Sequence, residues 1–216
     1  MSKIMPQIET ERLRLRPFER SDAEALFQNC LSDPEVVRYM PCHPCESLEA
    51  TQVHIDQWLA WFQENLEAGA MWCVFAVVLK ASGAFIGTAD FYETNRAAHV
   101  AEVGYQFGKL WWGKGYATEA LRALIDHCFT ATDLNRLWAD HDVRNTASGK
   151  VLRKAGMLHE GTFRQCKLRK DELVDKAHYA ILKEDWGRRG ESFSMPHYAS
   201  PKARKNHQNE AFFVSL

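Results

Sequence analysis

The sequence predicts a mixed α/β domain, and three observations predict it. Three strand-like apolar runs follow one another between Met71 and Phe107, separated by short turns. A helical stretch and another strand-like run come next, giving a strand–helix–strand unit. Two stretches ahead of these runs carry apolar residues at helical spacing. The chain has 216 residues, 46% hydrophobic and 25% charged, which is enough to enclose one full core.

The elements follow in order. Arg12 to Phe18 alternates, with Leu13 and Leu15 set against Arg12, Arg14 and Arg16, as a half-buried strand does. Ser21-Asp22-Ala23-Glu24 reads as a capping box opening a helix that ends near Asp33-Pro34. A loop with Pro34, Pro41 and Pro44 leads to a second helix from Ser47, whose Ile55, Trp58, Leu59, Phe62 and Leu66 form a packing stripe stopped at Gly69. Met71–Leu79, Ala84–Tyr92 and His99–Phe107 are expected to form an antiparallel meander. Gly115–Phe129 is helical and Arg136–Val143 is a strand, so the strands flanking that helix should run parallel. A short helix around Ala147–Ala155 stops at Gly156, and strands near 159–169 and 173–183 pair through Lys170-Asp171. One domain is expected over 1–186. The polar, basic stretch 187–216 reads as a mobile or docking tail with an apolar tip at Ala211-Phe212-Phe213-Val214.

Composition excludes several function classes. The net charge of −1 gives no electrostatic basis for binding nucleic acid or a membrane. No apolar run approaches the roughly 20 residues that span a bilayer. The first ten residues lack a signal-peptide apolar stretch, so a cytoplasmic location is expected. Cys42-His43-Pro44-Cys45 is the one close cysteine pair, and no second ligand pair stands at matching spacing. The nine histidines show no ligand spacing either, and no metal is expected.

The chemistry concentrates in Trp111-Trp112-Gly113-Lys114-Gly115-Tyr116-Ala117-Thr118, between a strand and a helix. Two glycines let the backbone turn and present its N–H groups. The helix dipole and Lys114 add positive potential, which suits a phosphate or pyrophosphate. The segment fits neither a P-loop, since no Ser or Thr follows Lys114, nor a dinucleotide fingerprint, since Thr118 stands where the third glycine belongs. A plain glycine turn capping a helix is the remaining alternative to a pyrophosphate loop.

Four separated motifs choose among these. They are Glu11-Arg12-Leu13-Arg14-Leu15-Arg16; Gly104-Tyr105; Trp112-Gly113-Lys114-Gly115-Tyr116-Ala117-Thr118-Glu119-Ala120; and Asn145-x-x-Ser148 leading to Lys154-Ala155-Gly156-Met157. In this order and spacing the chain resembles the GNAT superfamily, and within it the RimJ/RimL-type N-acetyltransferases, over about 10–186. Trp112 departs from the general motif, which has Gln or Arg there. The resemblance implies a twisted mixed sheet of about seven strands with helices on both faces, splayed between strands 4 and 5 to admit acetyl-CoA. By matching position it implies that the backbones of Tyr105, Gln106 and Phe107 bond the pantetheine arm and acetyl carbonyl. The N–H groups from Gly113 through Lys114, Gly115, Tyr116 and Ala117 to Thr118 would hold the pyrophosphate, and Asn145 would bond the pantetheine region.

The implied reaction is attack by a neutral primary amine on the thioester, with a proton supplied to the departing sulfur. Leu152 stands where many relatives carry a tyrosine acid, so the resemblance moves that role to Ser148, whose alternative is capping the helix near Thr146. Glu102 is the expected base, with Asp140 as rival, and either could equally be a strand-surface carboxylate. An α-amine near pKa 7.8 is roughly a quarter neutral at pH 7.4, and a lysine near 10.4 only about 0.1%. The expected acceptor is therefore a protein or peptide N-terminal α-amine, as for the ribosomal-protein acetylators of this family. A small amine or antibiotic, and a non-catalytic acyl-CoA-binding module, are the alternatives. A homodimer is among the assemblies open to the chain. Acceptor choice is expected to lie in the first two helices, the Pro41–Ser47 loop and the Leu173–Lys183 hairpin.

Overall fold

The computed structural model describes residues 7–67 and 72–188. The expected start of a strand at Met71, the helix stop at Gly69 and the tail beyond Arg188 lie outside these residues. Among the described residues one sheet has eight strands in the order β1-β2-β3-β4-β5-β6-β8-β7. The strands are β1 (Ile8–Glu9), β2 (Leu13–Pro17), β3 (Trp72–Leu79), β4 (Phe85–Asn95), β5 (Val100–Phe107), β6 (Arg136–Asp142), β7 (Leu158–Arg169) and β8 (Glu172–Leu182). All neighbours are antiparallel except β5 and β6, the parallel pair expected from the crossover.

The extra strand, β1, is too short for any alternation to register. Electrostatics hold it: Glu9 meets Arg14 and Lys80, each at 2.9 Å, which keeps its carboxyl down at about 2. The first helix also differs from expectation. Its capping box is Glu19 with Asp22, not one starting at Ser21. Arg16 clamps Asp22 at 2.6 and 2.8 Å, and the Asp22 carboxylate accepts the Glu19 N–H at 2.8 Å. Helix α1 (Ala23–Leu26) then widens into a π turn over Phe27–Leu31, closed by the Ser32 N–H and hydroxyl donating to the Phe27 carbonyl.

Helices α2 (Leu48–Glu67), α3 (Tyr116–Ala131), α4 (Thr146–Lys154) and α5 (Lys183–Gly187) complete the fold. Alternation along the strands divides the side chains between two faces. On one, Leu13, Leu15, Phe75, Val77, Ile86 and Val103 meet Leu121, Leu124 and Ile125 of α3 in the main core. On the other, Ile55 and Trp58 of α2 and Leu26 of α1 pack on Phe18, Ala76 and Phe85. Trp58 stands edge-on to Phe18 at 5.7 Å, which is the packing role expected of that stripe.

Cover on this second face is confined to the β3 and β4 end. Farther along this face, Asp90, Tyr92, Glu102, Trp138, Asp140 and His178 keep part of their surface exposed. Cys42 and Cys45 pack half-buried against the second core, and burial raises the Cys42 thiol. No disulfide forms, and among the described residues no cluster of His, Cys, Asp or Glu is arranged for a metal. No described helix is long and apolar enough to cross a membrane.

Candidate active site

The site starts where the sheet comes apart. Strands β5 and β6 pair only through Val100–Glu102 with Arg136–Trp138. Beyond that, β6 continues along β8 to Asp142 and β5 continues along β4 to Phe107, leaving an opening between them. Strand geometry decides which backbone groups face it. The Gly108 N–H donates to Ile86 in β4, and the His99 carbonyl accepts from Arg136 on the other side. Because N–H and C=O of one residue share a side and alternate along the strand, Val103, Tyr105 and Phe107 face the opening. Gln106 pairs with Thr88 and turns its backbone toward β4, so the expected backbone role of Gln106 does not fit. The Phe107 carbonyl is taken by the Trp112 indole N–H at 2.6 Å, which leaves only its N–H. Of Tyr105, Gln106 and Phe107, Tyr105 alone turns both backbone groups to the opening with neither taken by a side chain among the described residues. Gln106 instead carries a buried side-chain amide oxygen with no partner among the described residues.

Below the opening, on the α3/α4 side, the Tyr105 and Ser148 hydroxyls lie 2.8 Å apart, either able to donate. Tyr105 is partly buried, and that burial pushes its phenol up to about 12, so it stays protonated. Ser148 is not the helix cap. Asn145 is, its Oδ1 accepting the Ser148 N–H at 3.2 Å, and its Nδ2 has no partner among the described residues. Leu152 is a buried core residue.

At the far end of β5 the chain makes one 3-10 turn at Lys109–Trp111 and enters the glycine loop. Gly113 (φ 74°) and Gly115 (φ 83°) both take the left-handed conformation; a Cβ would meet nothing at Gly113 and only Arg12 Nη2 at an ordinary 3.5 Å at Gly115, so the backbone angle, not crowding, requires glycine. The first bond of α3 runs from the Glu119 N–H to the Gly115 carbonyl at 3.0 Å. The N–H groups of Tyr116, Ala117 and Thr118 therefore have no helical acceptor and point out of the helix start. Lys114 is exposed and makes no ion pair among the described residues. Arg12 fixes the loop from behind: it pairs with Glu119 at 2.6 Å, donates to the Lys114 carbonyl at 3.1 Å and lies 4.5 Å over the Tyr116 ring. These groups fit a pyrophosphate.

Above the opening, the α1/α2 face of the sheet carries carboxylates. Glu102 accepts the Tyr92 hydroxyl, and burial raises its pKa. Asp140 is engaged by Lys176 at 2.6 Å, with His178 at 3.8 Å. Asp90 lies on the same face, opposite Gly104, and burial, with the Glu102 charge added, pushes it up to about 7.

Residues 12–158 match the domain described as Acetyltransferase (GNAT) domain. This chain belongs to the GNAT acetyltransferases. It is 34% identical to the uncharacterized N-acetyltransferase p20 of Bacillus licheniformis, over 84% of this chain and 99% of that one. It is 31% identical to the [Ribosomal protein uS5]-alanine N-acetyltransferase of Escherichia coli (strain K12), over 47% of this chain and 53% of that one. A crystal structure of a GNAT-family acetyltransferase from Bacillus anthracis superposes with a TM-score of 0.73 at 30% identity, covering 83% of this chain and 99% of that one.

The GNAT acetyltransferases use acetyl-CoA, and the opening, the glycine loop and the start of α3 are consistent with that co-substrate. Sequence reasoning about this acetyltransferase missed three groups: the Tyr105 hydroxyl, the Asp90 carboxyl and the Arg12 clamp. Arg12 stood inside a recognised motif, but only the fold brings it against residues more than a hundred positions away. Asp90 gave no sequence signal beyond its place in an apolar strand.

Proposed function

We propose that this enzyme transfers acetyl from acetyl-CoA to the α-amine of a protein or peptide N-terminus, by direct attack on the thioester. The observation that carries this reading is the separation of functional groups across the sheet. Hydroxyls lie below the opening between β5 and β6, and carboxylates lie above it. A thioester held in that opening meets an amine from the carboxylate side and sheds its thiolate toward the hydroxyls.

In this reading Tyr105 holds the pantetheine arm and acetyl carbonyl through its backbone. The N–H groups from Gly113 to Thr118, with Lys114, hold the pyrophosphate. Asn145 Nδ2 bonds the pantetheine region, and the Gln106 side-chain oxygen accepts an amide N–H. Ser148, backed by Tyr105, protonates the sulfur, and Glu102 meets the amine. Asp140 is already held in an ion pair by Lys176, whereas Glu102 is held only by the Tyr92 hydroxyl. The α-amine preference follows from matching: a site whose carboxyls are lifted toward neutrality by burial deprotonates an amine near pKa 7.8 far more readily than one near 10.4. The ribosomal-protein activity in the name of the Escherichia coli relative supports the same class of acceptor.

Thiol release from acetyl-CoA tests the reading, comparing peptides with free N-termini against peptides blocked at the N-terminus and carrying lysine. Faster turnover of the free N-termini is expected. Faster acetylation of lysine side chains would overturn the proposal.

A further inference from the structure

One partly buried carboxyl has no part in the reaction described above. Asp90 sits mid-strand in β4, opposite Gly104 of β5. Its carboxyl lies over that glycine so closely that a Cβ there would stand 2.8 Å from both oxygens. Gly104 thus makes room for the carboxyl, and the next residue, Tyr105, borders the opening. Asp90 makes no hydrogen bond or ion pair among the described residues. Its neighbours are engaged: Glu102 by the Tyr92 hydroxyl, Asp140 by Lys176 and His178. Among the described residues, the charged and titratable groups on this face include Tyr92 of β4, Glu102 of β5, Arg136, Asp140 and Asp142 of β6, Glu160 and Lys167 of β7, and Lys176 and His178 of β8.

We propose that Asp90 is a catalytic residue, the carboxylate that takes the first proton from the acceptor's ammonium group, with Glu102 beside it completing an acidic seat for a primary ammonium. The inference rests on the acetyl-transfer reading above and adds the residue that makes the amine nucleophilic. Asp90 accepts one proton from the ammonium, and the freed nitrogen lone pair forms the C–N bond to the thioester carbonyl carbon. The C–S bond breaks and its electron pair leaves on sulfur, which takes a proton from Ser148. Glu102 takes the second proton from nitrogen as the amide forms. Asp90 and Glu102 each return a proton to solvent and Ser148 regains one, so the cycle releases one proton. With its carboxyl poised at about 7, Asp90 is ionised often enough to accept and basic enough to hold the proton.

The test uses the full chain, Asp90→Asn and Asp90→Ser, and two peptides. One begins with Ala. The other begins with an aminooxyacetyl group, whose nitrogen is already neutral at pH 7. Asp90→Asn is expected to lower kcat/KM for the Ala peptide on the order of 10²–10⁴-fold, to spare most of the aminooxy reaction and to leave acetyl-CoA binding unchanged. Equal losses on both peptides, or no loss on either, would overturn the proposal. Asp90→Ser repeats the test should Asp90→Asn unfold. A carbon-13 titration of the aspartate carboxyls decides independently of any acceptor: a signal missing from Asp90→Asn should titrate near neutrality in the parent. An ordinary aspartate midpoint for that signal overturns the inference. Absence of turnover with every peptide counts against the acetyl-transfer reading, and the titration still decides the role of Asp90.

Discussion

If Asp90 is held in place for chemistry, the fold bears a cost for it, and removing the charge should stabilise the protein. Lifting a carboxyl from 3.8 to about 7 disfavours the folded state by up to ~4 kcal/mol once the group is ionised in both states. Part of the Asp90 surface remains open to water, which reduces the figure to about 1–3 kcal/mol. The sign follows from the direction of the shift. Below 3.8 the carboxyl is neutral folded and unfolded, and no penalty exists. As pH rises toward 7 the unfolded chain ionises first and stability falls. Above about 7 the whole penalty is present. Asp90→Asn, neutral at every pH, should therefore melt roughly 3–10 °C above the parent at pH 8, and the gap should close toward pH 4. Thermal unfolding followed by circular dichroism across this range measures it. A variant no more stable than the parent at pH 8, or a gap independent of pH, would refute the reasoning.

Three further outcomes are expected. Arg12→Ala frees the loop ahead of α3 and should weaken acetyl-CoA binding by about 1–2 kcal/mol, roughly 5–30-fold in Kd by calorimetry, with kcat at saturation little changed. Ser148→Ala should lower kcat by about tenfold or more in single-turnover measurements while acetyl-CoA binds as before, since Asn145 and not Ser148 caps α4. Lys176→Met leaves the largely buried Asp140 with only the more distant His178 and should cost about 3–5 kcal/mol in urea unfolding, with much of the loss recovered by adding Asp140→Asn.

What the sequence revealed depended on how local the cause was. The strands from Trp72 to Phe107 and helix α3 were legible because their burial is written as an apolar run or a one-sided stripe. The glycine loop was legible because Gly113 and Gly115 answer to their own backbone angles. Strand β1 and the capping box at Glu19 were not, since ion pairs among Glu9, Arg14, Lys80, Arg16 and Asp22 decide them and an alternation pattern does not encode such pairs. The same limit applied in the site. Tyr105 and Gln106 look equivalent along the chain, but strand register turns one backbone to the opening and the other to β4. The significance of Asp90 arises only when β4 lies beside β5 in the register that sets it over Gly104.

The short pairing of β5 with β6 makes the sheet a partition with one window in it. In the proposed reaction coenzyme and acceptor arrive from different sides of that partition, so neither blocks the other's way in or out. Both can be bound together, and acetyl need never rest on the protein. The window exists because pairing stops after Glu102 and Trp138. A change that zipped the two strands together by a few more residues would silence the enzyme while leaving Ser148, Glu102, Asp90 and the glycine loop intact.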